Sequence, residues 1–356
     1  MGESYKLTFQ ELRQVTEMAT DFNMWREPTI EDQWNNAALD QITPNGQSKK
    51  AILNGIRNHW WTLKANPTQY EPNAPKVKNV IRKMKKNLGE NDVYGDCPVA
   101  SDKTICCNLK TIDAIQGCGL GCSYCSIQTF YEDGAIGIEE NLTEKLDQIE
   151  LDPNRNYHIG SGQSSDSLAM GNRNGVLDAQ FDFARKHPNI ILEFKTKTKN
   201  VDHFLKADVP PNVFVCWSLN PQVIIDHEEH FTASLGQRLH AARQLADKGI
   251  TVGFHFHPIV HYKGYEKDYG DVVETIFNTF SPDEVGMISL GTLTFIKPAI
   301  KNLRALGTNS KVLQIPMEDA AGKQSYPMAT KKEIFRTVYH AFRPWHEKVF
   351  FYFCME

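Results

Sequence analysis

The chain has 356 residues, of which 41% are hydrophobic and 23% charged, with a formal net charge of −4. This length and composition suit one large domain with extensions and provide enough apolar residues for a sizeable core. No apolar run reaches about 18 residues, and no charged-then-apolar leader follows Met1, which argues against membrane insertion and secretion.

The first 108 residues are predicted to form an N-terminal extension. Leu7 to Met24 has the apolar spacing of an amphipathic helix, whereas Asn23 to Gln47 is polar and predicts irregular structure. Residues 87–107 form a loop that contains glycine, aspartate and proline and carries three cysteines, Cys97, Cys106 and Cys107. Adjacent cysteines are poor joint ligands and no fourth partner is evident, so we interpret these three as structural.

A basic segment runs from Lys49 to Lys86. It contains ten basic residues against the single acid Glu71, a local charge of +9 in a chain that is net negative. Aromatic rings are interleaved with the cations, at His59, Trp60, Trp61 and Tyr70. Cations beside aromatic faces are typical of a surface that follows a phosphate backbone and stacks bases, so the segment is a candidate DNA contact. The alternative is a solvated linker, because prolines interrupt it at Pro67, Pro72 and Pro75.

From Leu109 onward, strand-like apolar runs alternate with segments of helical period, which predicts repeated βα units and a parallel sheet. Six strands are predicted, at Lys110–Ile115, Tyr157–Ile159, Ile190–Phe194, Val213–Ser218, Ile250–Phe256 and Val285–Leu290. Helices are predicted from Leu142, over Asn174–Lys186 and Val201–Lys206, from Leu235 to Gly249, and over Tyr269–Phe280. Six units make a partial barrel over residues 109–300, with ligand-binding loops after the carboxyl ends of its strands.

An incomplete barrel leaves a lateral opening. Segments at either end of the chain could cover that opening or use it to admit a large substrate. Residues 301–356 are expected to form such a substrate-covering segment. Within it, Lys348 to Cys354 is strand-like and is a candidate to pair with the barrel edge.

Three cysteines follow the first predicted strand in a glycine-rich loop. Cys118, Cys122 and Cys125 have C-x3-C-x2-C spacing, and no fourth cysteine lies at similar spacing. Three thiolates can hold three irons of a [4Fe–4S] cluster and leave the fourth iron open to a ligand. The alternatives are a zinc site completed by a remote residue such as His255 or His257, and three buried thiols without a metal. An exposed cluster requires a reducing compartment, which favours the cytoplasm.

This loop resembles that of the radical S-adenosylmethionine (SAM) enzymes. The resemblance implies an α/β fold, a six-stranded partial (β/α) barrel of the TIM type, with the cluster after the first strand. It implies two cofactors, a [4Fe–4S] cluster and SAM, whose amino and carboxylate groups chelate the open iron. Cleavage of SAM then gives a 5′-deoxyadenosyl radical. An electron donor such as flavodoxin or ferredoxin is expected as a partner.

Further stretches between Gly117 and Lys301 resemble the spore photoproduct lyase family. They occur in the family's order and are Cys122–Thr129, Ser164–Asp166, Thr196–Lys197 with Val201–His203, Trp217–Asn220, Thr232–Leu235 with Arg238 and Ala241–Ala242, and Phe295–Pro298. The lyase reverses a thymine–thymine crosslink in DNA by abstracting a hydrogen atom from it. The regions before Gly117 and after Asn302 look different from that family.

The resemblance also implies roles for individual residues. It makes Cys118, Cys122 and Cys125 the cluster ligands. Contacts to the methionyl part of SAM are implied for three polar residues, Ser165, Lys197 and Ser218, since an ammonium suits the SAM carboxylate and a hydroxyl suits either charged group. Tyr124 corresponds to an aromatic residue that packs near the cluster or relays a hydrogen atom. The alternatives are a surface lysine at Lys197 and a plain packing residue at Tyr124.

Two departures from the family concern the return of the hydrogen atom. Gln163 stands where the lyase has a cysteine that donates hydrogen to the product radical, and Ser126 stands where it has a tyrosine. A glutamine N–H bond is too strong to donate hydrogen readily. Three explanations remain: another thiol substitutes, SAM is regenerated in a net isomerisation, or the product leaves oxidised. Cys216 is the best-placed substitute thiol, and its alternative is a buried core cysteine.

Three histidines lie close together on the fifth predicted strand and after it, at His255, His257 and His261. Alternation places His255 and His257 on one face of the strand. If that face points into the barrel, the two rings could hydrogen-bond a base or hold an acidic substituent. The alternative is a pair of core histidines whose nitrogens are bonded to neighbouring residues.

Together these features predict a cytoplasmic radical SAM enzyme that acts on a thymine-derived base in DNA. The expected reaction is a rearrangement, for example migration of a substituent at the 5-methyl carbon of a modified thymine. The alternatives are a DNA repair lyase, an enzyme acting on a small molecule or a peptide, and a DNA-binding module in which the cluster is structural.

Overall fold

The computed structural model describes residues 6–40, 48–78, 82–87, 92–97, 109–129 and 135–354. An N-terminal group of helices packs beside a curled sheet with helices on its outer face. Cys106 and Cys107, interpreted above as structural, lie outside the described residues. No helix within these ranges combines the length and apolar character needed to cross a membrane.

Three helices form the N-terminal group: α1 (Phe9–Trp25), α2 (Ile30–Asp40) and α3 (Ser48–Ala65). The predicted first helix is confirmed, and it begins with a capping box. The Thr8 hydroxyl accepts the Glu11 amide, while the Glu11 carboxylate accepts the Thr8 amide at 2.8 Å. Irregular structure was predicted from Asn23 to Gln47, and for Ile30–Asp40 this is wrong, because that stretch forms α2 and packs against its neighbours. Residues 41–47 lie outside the described residues.

The aromatic residues of the basic segment divide between the core and the surface. The Trp60 ring stacks on Trp25 and its Nε1 donates to the buried Asp21 at 2.9 Å. The Lys64 ammonium lies 4.7 Å from the Trp60 ring centroid, so one cation of the segment is used in packing. Trp61 remains 54% exposed. Part of the predicted base-stacking surface therefore holds the helices together instead.

The main sheet has eight strands in the order β14-β10-β9-β8-β7-β6-β3-β2. Its strands are β2 (Tyr94–Asp96), β3 (Lys110–Ile112), β6 (Tyr157–Ser161), β7 (Ile190–Thr196), β8 (Val213–Ser218), β9 (Val252–Ile259), β10 (Val285–Thr292) and β14 (Phe350–Phe353). All neighbours are parallel except β2 and β3. The six predicted barrel strands are confirmed, and β14 confirms that the strand-like C-terminal stretch pairs with the barrel edge.

The first barrel strand is shorter than predicted. It ends at Ile112 because the Asp113 amide turns to the Val93 carbonyl, at 2.8 Å. The chain then enters a second sheet with the order β1-β5-β4. Its strands are β1 (Met84–Asn87), β4 (Ile115–Gln116) and β5 (Ile136–Glu139). The cluster loop starts directly after β4, so this sheet places the basic strand β1 beside it.

Helices on the outer face are α4 (Leu142–Asp147), α5 (Val176–Lys186), α6 (Asp202–Lys206), α7 (Gln222–Glu228), α8 (Leu235–Asp247) and α9 (Tyr265–Thr279). Outward-facing apolar side chains of the strands pack against them. The Phe194 ring contacts Phe181 and Phe204 edge-on, with centroids 5.8 and 5.3 Å away. After β10 come β11 (Thr294–Ile296), α10 (Lys297–Ala305), β12 (Glu318–Ala320), β13 (Lys323–Ser325) and α11 (Met328–Ala341).

The inner face of the barrel is unusually polar at mid-height. On β7 the inward positions are Ile191, Glu193 and Lys195, in register with Phe214 and Cys216 on β8. Glu193 is fully buried although it is a carboxylate. A buried charge must be paired or hydrogen-bonded. Polar side chains therefore line the inside of the barrel on β7 and β8, whose carboxyl ends face the cluster loop.

Candidate active site

The cluster loop is shaped by two glycines in the left-handed region. Gly117 has φ +81°, and a Cβ there would lie 2.6 Å from the Ala135 carbonyl oxygen. Gly121 has φ +64°, and a Cβ there would lie 2.9 Å from the Phe231 ring. Real Cβ atoms do not approach so closely, so both positions require glycine. The Gly117 amide also donates to the Ser164 carbonyl at 2.9 Å, which joins the loop to the one after β6.

The three cysteines predicted as cluster ligands form no disulfide and lie close enough to influence one another's pKa. Cys122 is buried, while Cys118 and Cys125 are half-buried. Burial raises the pKa of Cys118 to about 12, with Asp166 and Cys125 adding to the rise. Burial likewise raises the pKa of Cys122, whereas the positive charge of Lys197 lowers both values. Metal coordination removes this cost because a bound iron deprotonates the thiol.

This arrangement fits a [4Fe–4S] cluster with one open iron. Cys118, Cys122 and Cys125 would hold three irons, because they are three soft donors on one loop. Half-buried thiols leave an approach for a further ligand to the fourth iron. The predicted zinc ligands His255 and His257 belong to the barrel interior, where each imidazole is already bonded, to Glu193 and to the Ser289 hydroxyl respectively.

Lys197 lies beside the cluster loop, as the resemblance implies. It follows the carboxyl end of β7, and its Nζ is 5.9 Å from the Tyr124 ring centroid. Its amide donates to Asp166 Oδ2 at 2.7 Å, and the Thr196 hydroxyl donates to Asp166 Oδ1 at 2.9 Å. The buried carboxylate of Asp166 thus joins the loop after β6 to the end of β7. A half-buried ammonium at this point is suited to bind a carboxylate.

The two serines predicted to contact SAM lie at the carboxyl ends of strands. The Ser165 hydroxyl donates to the Gly117 carbonyl at 2.7 Å, so it supports the cluster loop directly. Ser218 ends β8 in register with His255, on the inner face. Its carbonyl accepts from Arg238 at 2.8 Å, which fixes the strand end.

Tyr124 is held by a buried ion pair. Its hydroxyl donates to Glu229, which forms a fully buried salt bridge with Arg238. Burial alone would raise the Glu229 pKa, but Arg238, Lys197 and hydrogen bonds from Tyr124 and Asn220 lower it to about 2. Glu229 is therefore ionised, and Tyr124 keeps its proton because burial and this carboxylate raise its pKa. The Tyr124 hydroxyl is directed to Glu229 rather than left free.

Gln163 projects over the inner face of β6. Its Nε2 would lie 3.1 Å from a Cβ at Gly160, and it is buried without a hydrogen-bond partner among the described residues. A buried amide nitrogen without an acceptor is costly. Gln163, which the sequence resemblance aligned with the lyase's hydrogen-donating cysteine, therefore carries an unsatisfied donor.

Cys216 lies deeper in the barrel than the strand ends. It is fully buried, and its Sγ would be 2.5 Å from a Cβ at Gly253, so the thiol fills the space that this glycine leaves. Burial raises its pKa, and a hydrogen bond with Glu193 adds to the rise. Glu193, Cys216 and His255 lie within 4.8 Å of one another. This environment is that of a buried core cysteine, which was the alternative to a substitute hydrogen donor.

His255 and His257 face into the barrel, the orientation in which they could hydrogen-bond a base. His255 bonds to Glu193, and the His257 Nε2 is 3.0 Å from the Ser289 hydroxyl. Their ring centroids are 5.0 Å apart. Burial lowers the pKa of both, so they are neutral. His261 instead contacts the Tyr265 ring edge-on, with centroids 5.0 Å apart.

Several site residues were not singled out from the sequence. Glu229 precedes its partner Arg238 by nine positions, and their pairing depends on how α7 and α8 pack. Glu193 alternates with apolar residues on β7, which is the only signal that it points inward. A charged residue inside an apolar strand pattern is a cue for a polar barrel interior.

Comparison with known proteins agrees with this geometry. A family model described as "Spore photoproduct lyase" matches residues 107–331. The chain belongs to the spore photoproduct lyase family. Members of the family are radical SAM enzymes, whose cofactors are a [4Fe–4S] cluster and SAM. The family membership confirms the predicted partial (β/α) barrel.

The relatives are distant. The spore photoproduct lyase of Clostridium acetobutylicum is 22% identical over 215 residues, which cover 59% of this chain and 62% of the relative. The lyase of a Geobacillus species is 26% identical over 189 residues, covering 52% and 54%. The chain thus spans little more than half the length of these curated relatives. The family model, which matches from residue 107 to residue 331, leaves out the N-terminal helices.

Solved structures show the same fold. A spore photoproduct lyase mutant with bound AdoMet and dinucleoside spore photoproduct superposes with a TM-score of 0.65 at 22% identity, covering 75% of this chain and 81% of that one. Another mutant with the dinucleoside has a TM-score of 0.66 at 22% identity, covering 76% and 82%. At this identity the superposition establishes the fold of the radical SAM partial barrel.

Proposed function

We propose that this protein is a radical SAM enzyme that isomerises a thymine-derived base in DNA and regenerates SAM in each turnover. When bound, SAM and the reduced cluster supply a radical that takes a hydrogen atom from a C–H bond of the substrate. The observation that carries the proposal concerns the residue expected to return the hydrogen atom to the substrate radical. By the sequence resemblance, Gln163 replaces the lyase's hydrogen-donating cysteine, and its buried Nε2 has no hydrogen-bond partner among the described residues.

Neither Cys216 nor Cys354, two thiols of the described barrel, stands at the position of Gln163. Cys216 is fully buried, bonded to Glu193 and level with Lys195 on the neighbouring strand, two residues before β8 ends at Ser218. Cys354 follows β14 at the carboxyl edge of the barrel, where its amide donates to the Leu290 carbonyl at 2.8 Å. With no thiol at the position of Gln163, the hydrogen atom returns from the carbon that took it, so substrate and product have the same composition.

The polar interior suits a pyrimidine base. Gln163 Nε2 is a buried donor in need of an acceptor, and the base offers carbonyl oxygens. His257 is neutral and can bond a ring nitrogen or a carbonyl. Lys197 lies above them beside Tyr124, where it would hold the SAM carboxylate. The chain's own contribution is to bind and orient both molecules and to exclude water.

SAM labelled with deuterium on its 5′-methylene tests the return of hydrogen. We expect deuterium to enter the product base and substrate hydrogen to enter recovered SAM, with no net loss of SAM. The Cys216→Ala and Cys354→Ala variants should give the same exchange. Loss of exchange in either variant would contradict the proposal and assign the return step to that thiol. One SAM consumed per product would also contradict it, and would point to a lyase or an oxidation.

We also propose that β1 contacts the DNA backbone. Lys83, just before this edge strand, and Lys85, on it, are exposed. The Arg82 side chain lies 4.0 Å from where a Cβ on Gly119 would stand, inside the cluster loop. The pairing of Met84 with Ile136 brings the strand to the sheet that carries the loop. Cations at this point can place a phosphate backbone next to the cysteines.

Salt dependence of DNA binding tests this contact. Replacing Arg82, Lys83 and Lys85 by alanine should weaken duplex binding and reduce the slope of log affinity against log salt by about 2 to 3, since each phosphate contact contributes about 0.9. Binding would be measured by fluorescence anisotropy over a range of salt concentrations.

A control with the same charge change is available on α9 and α11. Lys267, Lys332 and Arg336 are exposed and lie away from the cluster loop. Their replacement by alanine removes one arginine and two lysines, as in the test variant. An equal loss of slope in both triple variants would show that binding follows net charge alone, and would overturn the assignment of β1.

A DNA repair lyase is the second candidate function. The family's curated members carry that name, and solved relatives contain a dinucleoside spore photoproduct. It predicts that a crosslinked pair is restored to two separate thymines within the DNA strand. The same labelling experiment separates the two functions, because the isomerase leaves one modified base in place.

The remaining assignments complete the proposal. An oxygen-sensitive cluster requires a reducing compartment, so the protein is placed in the cytoplasm, with flavodoxin or ferredoxin as electron donor. The N-terminal extension, residues 1–108, would contact DNA through its basic segment. Residues 301–356 would cover the substrate beside the barrel, which spans residues 109–300. Among them, β14 contributes the last parallel strand of the sheet.

A further inference from the structure

The carboxyl end of α7 forms a buried junction of three residues, His227, Glu228 and Glu229, here called the α7 junction. Glu228 and Glu229 are 0% and 1% exposed, and His227 is 3% exposed. Consecutive buried carboxylates are costly unless both are fully hydrogen-bonded. Their partners therefore show what the arrangement stabilises.

Both carboxylates bind the cluster loop between its second and third cysteines. Glu228 accepts from the Ser123 hydroxyl, and Glu229 accepts from the Tyr124 hydroxyl. The backbone adds a third contact, since the Ser123 amide donates to the Glu228 carbonyl at 2.8 Å. The junction thus holds two adjacent side chains of the loop, Ser123 and Tyr124, through two adjacent carboxylates.

Glu228 also binds two segments that lie outside the barrel. The Tyr70 hydroxyl, from the basic segment, donates to its Oε1 at 3.0 Å. The Ser310 hydroxyl, from the loop after α10, donates to its Oε2 at 2.7 Å, and the Lys311 amide donates to its Oε1 at 3.0 Å. One carboxylate therefore joins the cluster loop to segments more than two hundred positions apart in the chain.

His227 reinforces the same connection. Its Nε2 is 2.9 Å from the Glu71 carbonyl, and its Nδ1 is 3.3 Å from the Arg26 guanidinium. The Ser310 amide donates to the Met24 carbonyl at 2.8 Å, so α1 reaches the same place. The N-terminal helices and the loop after α10 meet at the α7 junction.

We propose that the α7 junction makes the order of the cluster loop depend on the docking of two segments, one around Tyr70 and one around Ser310. Glu228 acts as a positioning residue for the cluster, because it contacts none of the three cysteines. Removing either outer partner leaves a buried carboxylate short of a donor and loosens its hold on Ser123. The proposal is independent of the base on which the enzyme acts.

Two variants remove a single hydroxyl each. We expect Tyr70→Phe and Ser310→Ala to release iron to a chelator about tenfold faster than the parent protein. The reason is that loss of a hydrogen bond to a charged group changes an equilibrium constant by about tenfold or more. In the cluster-free protein, amides of residues 117–125 should exchange hydrogen faster, while the melting temperature stays close to that of the parent. Glu228→Gln should show both effects more strongly.

Matched hydroxyl deletions elsewhere serve as controls. Tyr265 is buried, with its hydroxyl 3.3 Å from Thr337, and Ser325 is buried, with its hydroxyl donating to the Leu293 carbonyl at 2.8 Å. Tyr265→Phe and Ser325→Ala should leave iron release and loop exchange unchanged. Unchanged iron release in Tyr70→Phe and Ser310→Ala would overturn the proposal. So would faster release that only follows a general fall in melting temperature, shared by the controls.

Discussion

The Cys122→Ala protein is expected to hold no intact [4Fe–4S] cluster and to cleave SAM no faster than background. Cys122 is the buried member of the three ligands, so no solvent molecule readily replaces its thiolate. Two remaining cysteines leave two irons unprotected and cannot define a single open iron. Iron and sulfide content after anaerobic reconstitution, the absorption spectrum and the yield of 5′-deoxyadenosine measure the effect.

Cys97→Ala is the matched control for this variant. It also deletes one thiol, at the end of β2 on the antiparallel edge of the sheet. Its iron content and SAM cleavage should equal those of the parent. A Cys122→Ala protein that kept a four-iron cluster and cleaved SAM would refute the assignment of the three cysteines.

Arg238→Leu should have the largest effect on stability. The substitution leaves Glu229 buried with its main counter-charge removed, and breaking such a pair costs about 3 to 5 kcal/mol of the free energy of unfolding. Urea unfolding of the cluster-free protein at neutral pH measures the loss. The variant should also lose cluster retention, because Tyr124 bonds to the same carboxylate.

The pH dependence follows from the Glu229 pKa. In the parent that pKa is about 2, below its ordinary value of 4.5, so the carboxylate stabilises the fold above 4.5 and loses this contribution as the pH falls toward 2. In Arg238→Leu, burial outweighs the remaining attractions and the pKa rises. The deficit should then narrow as the pH is lowered, because protonation removes the unpaired charge.

Arg243 on the same helix provides the control. Its pair with Glu284 is partly exposed, at 25% and 26% of the side chains. Solvent screens such a pair, so Arg243→Leu should cost about 1 kcal/mol or less. Equal losses of free energy of unfolding in the two arginine variants would show that the buried pair of Arg238 and Glu229 stabilises the fold no more than an exposed pair does.

The barrel could be predicted from the sequence because its strands are buried on both faces. Val213–Ser218 was predicted with its observed bounds, since its apolar run is uninterrupted and turn residues flank it. The first strand was overextended to Ile115 because Asp113 breaks the ladder by binding Val93, a contact that no local pattern records. Strand ends at an active site depend on such distant partners.

The ligand set was predictable for a different reason. The spacing of Cys118, Cys122 and Cys125 is local, so one short loop contains the whole pattern. Glu228 and Glu229 escaped notice because their partners come from three separate segments, and acidic side chains on a helix usually face solvent. Helix α2 was missed because its stability comes from packing against α1 and α3 rather than from its own pattern.

For the basic segment, the charge could be predicted from the sequence, but the placement of the aromatic rings could not. Its charge was readable directly, and Lys83 and Lys85 are exposed as expected. Its aromatic residues were ambiguous, because a ring beside a cation can stack a base or pack in a core. Trp60 packs on Trp25, whereas Trp61 stays in solvent, and only the tertiary arrangement of the helices decides between them.

The most direct test of the whole account is a single anaerobic assay. The protein with its reconstituted and reduced cluster is given SAM and duplex DNA that carries modified thymines, and the DNA is then digested. Mass spectrometry follows the nucleosides, SAM and 5′-deoxyadenosine. The account predicts a nucleoside of unchanged mass and altered retention, with SAM conserved. DNA bases that stay unchanged, together with SAM cleavage that DNA does not affect, would contradict it.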